Sequence, residues 1–177
     1  MTEEANRHRL SMAAFYDSDA LWATSVELLS CGFAISQQCY AGRAPVLSQL
    51  APPSRISQDL AAQLSALASL VEPFVVANGD IDIFATSGRV FKMVSFAFLG
   101  RGEFGTADAA KDQNAQSRAG YRTSLRHHID AGAVLLIVSA ENSRQQVDSS
   151  HVLLRNSPHS IQTFEFTIPS PTFINRL

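Results

Sequence analysis

The most continuous apolar stretch of the chain lies late in the sequence, where five apolar residues follow one another from Val134 to Val138. Gly132, a residue type that commonly ends helices, precedes this run, and a polar segment follows it. Short uninterrupted runs of leucine and β-branched residues are typical of strands that are buried on both faces of a sheet. The pattern therefore predicts a central strand over residues 132–140.

The N-terminal part of the chain shows a strand-helix-strand pattern. An apolar run over 11–16 is followed by helix-capping residues at 17–19, and apolar positions then recur at three- and four-residue steps as far as Gly32. Residues 35–40 alternate between apolar and polar, which predicts a second strand that ends at Gly42. Because a connection of this length is right-handed, the two strands should lie parallel in one sheet.

The C-terminal part repeats this plan. Capping residues at 141–143 follow the central strand and begin an amphipathic helix, which Pro158 ends. Residues 160–168 then alternate as a final strand with one face in solvent. Two strand-helix-strand units predict an α+β fold of the ferredoxin-like sandwich kind, in which four antiparallel strands carry two helices on one face.

A long middle segment separates the two units, and it exceeds the hairpin that would join the middle strands of a minimal ferredoxin-like fold. Helical periodicity predicts helices over 58–70, 87–99 and 113–130, and short extended segments flank a turn at 78–79. A glycine-bearing polar stretch over 100–112 predicts a flexible loop. We therefore expect one domain over 1–177, divided into a disordered N-terminus (1–10), a first strand-helix-strand unit (11–41), a mainly helical insertion (44–112), a helix with the second unit (113–168) and a tail (169–177).

The helix predicted over 87–99 is apolar on almost every side. At about twelve residues it is too short to span a bilayer, which needs about twenty, so the sequence argues against membrane association. The apolar residues from Val90 to Leu99 are more than a single exposed helix should carry. This excess predicts a homo-oligomer that associates through the helix or through the edges of the sheet.

The composition is that of a globular protein, with 46% hydrophobic and 17% charged residues. A formal net charge of -2 provides no positive field that would gather phosphates, which argues against nucleic-acid binding. Residues 1–10 are polar and charged, so they predict neither a secretory signal nor an anchor, and a cytoplasmic protein is expected. Cys31 and Cys39 are predicted to be two buried reduced thiols, with a disulfide as the alternative.

The adjacent pair His127 and His128, near the end of a predicted helix, is the most noticeable candidate for chemistry. Neighbouring side chains point about a hundred degrees apart on a helix, so they cannot share a metal ion as an i, i+4 pair can. Histidines near a helix C-terminus interact favourably with the helix dipole, which favours capping or a surface position. The sequence therefore predicts no metal site.

Ser87, Gly88 and Arg89 open a helix after an extended run, a context in which backbone N–H groups receive an anion. The three residues lack the glycine spacings of the phosphate loop and of the dinucleotide-binding fingerprint, so an ordinary loop is the favoured interpretation. The other candidate binding residues are Tyr121, His127 and His128. No catalytic residue and no cofactor are predicted, and an enzyme is disfavoured because no motif indicates a reaction.

Several short segments near the two ends of the chain carry a family resemblance. They are AFYDS at 14–18, CGFAI at 31–35, YRTSL at 121–125, AGAVLLIV at 131–138 and LLRN at 153–156. In this order they resemble the general stress protein family, also described as heat-induced stress protein domains. The resemblance implies a stress-related, non-enzymatic role and assigns no functional residues. The glycine- and alanine-rich middle typical of relatives is interrupted here by charged residues such as Asp82 and Arg89.

Two functions fit these patterns. The first is a non-enzymatic, stress-associated regulatory or binding module that associates with itself and takes a small-molecule or protein partner. The second is a small-molecule-binding protein, or an enzyme, of the dimeric α/β-barrel kind, with a pocket between sheet and helices. The polar anchors expected in that pocket are Tyr40, Tyr121, His127 or His128.

Overall fold

The computed structural model of the chain describes residues 7–69, 71–74, 82–99, 115–156 and 159–167, and within them six strands form one antiparallel sheet. The strands are β1 (Arg7–Phe15), β2 (Gln38–Arg43), β3 (Val71–Pro73), β4 (Ile83–Thr86), β5 (Val134–Ala140) and β6 (Gln162–Thr167). The helices are α1 (Ser18–Ser30), α2 (Ala44–Ser48), α3 (Gln58–Ser69), α4 (Arg89–Leu99), α5 (Ala115–Asp130) and α6 (Ser143–Asn156), and a 3-10 turn (Ile35–Gln37) precedes β2.

The strand order across the sheet is β3-β4-β2-β5-β1-β6. β1 and β2 run in the same direction with β5 between them, and β5 and β6 run in the same direction with β1 between them. Each strand-helix-strand unit therefore encloses a strand of the other unit, which is the split arrangement expected of a ferredoxin-like sandwich. The predicted α+β class is confirmed, and β3 and β4 of the insertion extend the sheet beyond β2.

The central strand β5 is buried along its whole length, as its continuous apolar pattern predicted. Its side chains alternate between two cores, so that Leu135 and Ile137 pack on one face of the sheet and Leu136 and Val138 on the other. β1 contributes to both cores in the same way, since Met12 lies opposite Ile137 in the β1–β5 ladder. The two ends of the chain thus share one buried layer.

Helices cover both faces of this layer. α1 and α6 cover the face that carries Leu136 and Val138, which we call the first face, as expected of the ferredoxin-like plan. α4 and α5 cover the face that carries Leu135 and Ile137, which we call the second face. The second face is closed by Val90, Met93 and Val94 of α4 and by Leu125 and Ile129 of α5. The apolar character of α4 is therefore explained, for these three of its residues, by burial against the chain's own sheet.

The strands begin and end at different residues from those predicted. β1 starts at Arg7, so the prediction of a disordered segment is wrong for residues 7–10. Charged residues can join this strand because its neighbour β6 provides a partner: Arg9 Nε lies 2.6 Å from Glu165 Oε1. β2 continues through Gly42 to Arg43, and a Cβ atom at Gly42 would lie in van der Waals contact with the carbonyl oxygen of Ala133, at 3.4 Å.

The two cysteines are both free thiols, and only one of them is buried. Cys39 lies inside β2 as predicted, whereas Cys31 is exposed because it caps the C-terminal end of α1. The predicted turn at 78–79, the predicted loop at 100–112 and the predicted tail at 169–177 lie outside the described residues.

An ion cluster ties the insertion to the core. The guanidinium of Arg43, at the end of β2, donates to the carboxylates of Asp82 and Asp130, and Asp130 also accepts from Arg126 Nε at 3.0 Å. Burial raises the pKa of Asp130, but the hydrogen bonds from Arg126 and Arg43 outweigh burial and hold this pKa below its usual value. The cluster therefore links the end of β2 to the start of β4 and to the C-terminal end of α5.

Candidate functional site

The candidate residues singled out in the sequence lie in two separate places. Phe15, at the end of β1, pairs with Val134 at the start of β5, and His128 approaches the chain just beyond Phe15. Gln38, at the start of β2, pairs with Val138 near the other end of β5. Ser87, Gly88 and Arg89 lie at this second end, so the structure does not bring them together with the histidine pair.

A cavity of about 380 Å³ opens at the second end, between the start of β2, α3 and the first turn of α4; we call it the β2–α4 cavity. This volume lies within the range of small-molecule sites. Its apolar wall is made by Ile35, Ala66, Val90 and Phe91, and its polar wall by Ser36, Gln38, Gln63, Ser87 and Arg89.

The cavity exists because β4 leaves β2 at Thr86. The ladder between the two strands ends where Ala41 faces Ala85, and beyond it the Thr86 side chain replaces the backbone, with Oγ1 accepting a hydrogen bond from Tyr40 N at 2.9 Å. Gly88 then turns the chain into α4 with a φ of 141°, a conformation that favours glycine. The separation of strand and helix leaves space at this corner of the sheet.

The α4 side of the cavity is electropositive. The first amides of a helix have no partner within the helix and carry its positive dipole end, and Arg89 adds a full charge on an exposed side chain. The effect of Arg89 reaches His8 on β1, whose pKa is lowered first by burial and then by the positive charge of Arg89. The predicted anion-receiving context at residues 87–89 is therefore placed beside a cavity rather than in an ordinary exposed loop.

The β2 side of the cavity holds a buried acceptor without a donor. Gln38 is only 2% exposed, and its Nε2 donates weakly to Ser25 O at 3.4 Å. Its Oε1 receives no hydrogen bond from any residue that the structure describes. Buried carboxamide oxygens are nearly always paired. Gln38 Oε1 is one of five buried side-chain polar atoms without a hydrogen-bond partner among the described residues, and Gln38 is the residue of these five that lines this cavity.

The neighbouring thiol is not a nucleophile. Cys39 also lines the cavity, but burial raises the pKa of its thiol to about 12, and the thiol donates to Thr86 O at 3.3 Å. Nucleophilic cysteines require the thiolate near neutral pH. Cys39 therefore contributes to the cavity wall as a neutral, protonated thiol.

The histidine pair takes part in a second, exposed cluster. The Tyr16 hydroxyl lies 2.7 Å from His128 Nδ1, and the ring of His159 stands edge-on to Tyr16 at 5.1 Å between centroids. The pKa of His128 is lowered by burial and then by the positive charges of His127 and His159. Within the described ranges, no three His, Cys, Asp or Glu side chains are placed to hold a metal ion.

The tyrosines expected as pocket anchors do not converge on one site. Tyr40 is buried on the first face of the sheet, where its hydroxyl lies 2.9 Å from Ser25 Oγ and its ring stands edge-on to Trp22. Tyr121 lies at the surface of α5 with its ring edge-on to Phe164. The prediction that they and the histidines anchor one pocket is therefore wrong for the part of the chain that the structure describes.

The residues that matter in the β2–α4 cavity were only partly found from the sequence. Ser87, Gly88 and Arg89 were candidates, whereas Gln38 and Gln63 were not. A signal for Gln38 did exist: it is a glutamine within a strand that is otherwise buried, where polar side chains need a partner. Tyr16 and His159 were missed because they are distant in sequence from His128.

Comparison of the chain with protein-family models, with curated proteins and with solved structures gave no match. The resemblance to general stress proteins stays a prediction. Among the described helices, none is long and apolar enough to cross a membrane.

Proposed function

We propose that this protein is a non-enzymatic small-molecule-binding module and that the β2–α4 cavity is its binding site. The observation that carries the proposal is that Gln38 lines the cavity while its Oε1, which is fully buried beneath the cavity surface, has no donor among the described residues. A bound molecule that donates a hydrogen bond would satisfy this oxygen, and the apolar wall would bury the rest of the molecule.

Binding is favoured over catalysis by the state of the groups in the cavity wall. The thiol of Cys39 stays protonated at neutral pH, and the Thr86 hydroxyl oxygen is engaged by Tyr40 N. Neither group has the adjacent base that activates a nucleophile. We extend the proposal to a stress-associated role, which the resemblance at the two ends of the chain supports.

Self-association stays a separate proposal with less support than the sequence suggested. Val90, Met93 and Val94 of α4 are buried within the chain, so they provide no surface for a second copy. The helices α4 and α5 also cover the sheet face through which two ferredoxin-like sheets would otherwise pack on each other. The remaining described routes are the two edge strands of the sheet, β3, which pairs only with β4, and β6, which pairs only with β1.

Ligand-observed NMR with a mixture of amphipathic fragments tests the binding proposal. Fragments of about ten to fourteen non-hydrogen atoms bind near the millimolar range at about 0.3 kcal/mol per atom, which this method detects. A variant that fills the cavity, Ala66→Phe on α3, should abolish the binding of fragments that the wild-type protein retains.

The matched control is Ala62→Phe, the same change one turn earlier on α3 at an exposed residue that does not line the cavity. We expect it to bind as the wild-type protein does. The proposal fails if the wild-type protein binds no fragment, or if Ala66→Phe binds the same fragments with unchanged affinity while remaining folded.

A further inference from the structure

We infer that the ligand of the β2–α4 cavity is a small amphipathic anion, with a carboxylate at the first turn of α4, an apolar body, and a hydroxyl or N–H group that donates to Gln38 Oε1. This inference rests on the proposed binding function and specifies the chemical class of the ligand.

The negative charge of the ligand follows from the charges around the cavity. The first residues of α4, including the positively charged Arg89, form one wall, and none of the lining residues in the described ranges is acidic. The N-terminal end of a helix favours anions, and Arg forms paired hydrogen bonds with carboxylates. A cationic ligand would meet only positive charge at this wall.

The apolar body follows from the side chains between the two polar ends. Val90 and Phe91, the residues after Arg89, line the cavity together with Ile35 and Ala66. Phe91 is only partly buried and packs on the core of the second sheet face, so one side of its ring is available for contact. An aromatic or short aliphatic body placed here removes apolar surface from water on both partners.

The donor group of the ligand follows from the orientation of Gln38. Its Nε2 is turned toward Ser25 O, which fixes the carboxamide so that Oε1 is the atom left unpaired. Because Oε1 has almost no accessible surface in the free protein, it accepts only from a donor that passes beyond the open part of the cavity and displaces its covering side chains. A hydroxyl or an amine N–H on the ligand meets this requirement, whereas a second carboxylate would place two acceptors together.

Three matched probes separate these features: 4-hydroxyphenylacetate carries all of them, phenylacetate lacks the hydroxyl, and 4-hydroxyphenylethanol lacks the carboxylate. Isothermal titration of each probe into the wild-type protein should show 4-hydroxyphenylacetate as the tightest. Loss of the hydroxyl should weaken binding by about fivefold, the effect of one hydrogen bond to a buried acceptor. Loss of the carboxylate should weaken it by about fivefold or more.

Two variants assign each effect to its residue. Gln38→Leu should make 4-hydroxyphenylacetate and phenylacetate bind equally, because the acceptor is gone. Arg89→Gln should weaken the two carboxylate probes by about threefold or more and leave 4-hydroxyphenylethanol unchanged. The control for Arg89→Gln is Lys92→Gln, which removes the same charge from an exposed residue of the same helix that does not line the cavity.

The outcomes distinguish this inference from the proposed function. If the three probes bind equally, the assignment of an anionic ligand is wrong while a binding role stands. If Lys92→Gln weakens binding as much as Arg89→Gln does, the placement of the carboxylate at Arg89 is wrong. If none of the three probes binds but a neutral or cationic fragment does, and Ala66→Phe blocks that fragment, only the ligand class is overturned. If no fragment of any kind binds, both are wrong.

Discussion

The substitution Gln38→Leu should stabilise the free protein, although it removes a polar side chain from the middle of a sheet. The unpaired Oε1 of a buried carboxamide costs about 1–3 kcal/mol, and a leucine of similar volume removes that cost. The change also removes the hydrogen bond from Nε2 to Ser25 O, which at 3.4 Å contributes about 0.5 kcal/mol or less. The net result is a gain of about 1 kcal/mol, or a rise in Tm of about 2–4 °C for a chain of this length.

The adjacent Gln37 provides the matched control, because the same substitution there should have the opposite sign. Gln37 Oε1 accepts from Ala34 N at 2.8 Å, and its Nε2 donates to Ser139 O at 3.0 Å. Gln37→Leu loses both of these and the longer hydrogen bond from Nε2 to Gln145 Oε1 at 3.4 Å, and it should cost about 1–2 kcal/mol. The two variants therefore differ by about 2–3 kcal/mol if the accounting of hydrogen bonds is correct.

Urea unfolding of the two variants, followed by circular dichroism, measures this difference. The midpoint should rise for Gln38→Leu and fall for Gln37→Leu, with the slope unchanged in both. If Gln38→Leu destabilises the protein as much as Gln37→Leu does, Oε1 is satisfied in the free protein. The inner end of the β2–α4 cavity would then have no acceptor to offer a ligand.

Three further predictions concern the rest of the fold. Leu125→Ala in α5 should cost about 2–5 kcal/mol in urea unfolding because the residue is 2% exposed on the second sheet face. Leu154→Ala, at 61% exposed, should change stability by about 0.5 kcal/mol or less, and equal costs would contradict the burial of the second face by α5. The pKa of His128 is depressed below its usual 6.5, so as the pH falls through 6.5 the unfolded state binds more protons than the folded state and stability falls. His128→Asn should flatten this dependence of Tm on pH in melts from about pH 7.5 to about pH 5. An unchanged slope would refute the depressed pKa of His128. Arg43→Gln should raise the pKa of Asp130 toward its usual value of 3.8 in an NMR titration, and a pKa that does not move would show that Arg126 alone sets it.

The sequence predicted the sheet because its central strands are buried on both faces. A strand of this kind has a continuous apolar pattern, and Val134 to Ala140 has the clearest one in the chain. The helices α1 and α6 were likewise predictable from their capping residues and from apolar positions at helical spacing. These are local signals, and each depends on residues within about one helix length.

The placement of the insertion was not predictable in the same way. An apolar helix such as α4 needs a buried surface, but the pattern does not say whether that surface belongs to the same chain or to a second copy. The answer depended on the sheet having a second apolar face, which follows from the alternation of β1, β2 and β5 taken together. The pattern of each strand alone does not show this face, because the face forms only when the strands lie side by side.

The candidate site depends on contacts between distant parts of the chain. The register of β2 against β4 and the turn at Gly88 bring Gln38 and Arg89 to the same cavity. Neither the register nor the turn can be recognised from the sequence around Gln38 or Arg89. Tyr16 and His128 meet because α5 returns to the end of β1. The sequence pattern indicates Arg89 and His128 as candidates. It does not contain the strand register, which determines the distant residues that become their neighbours.

The most direct test of the binding account is amide NMR of the isotopically labelled wild-type protein titrated with 4-hydroxyphenylacetate. We expect concentration-dependent shifts confined to the β2–α4 cavity, largest at Gln38 and from Thr86 to Phe91, together with the side-chain amide of Gln38. Shifts centred on Tyr16 and His128 at the other end of β5, or no shifts at millimolar probe, would contradict the claim that this cavity is the binding site.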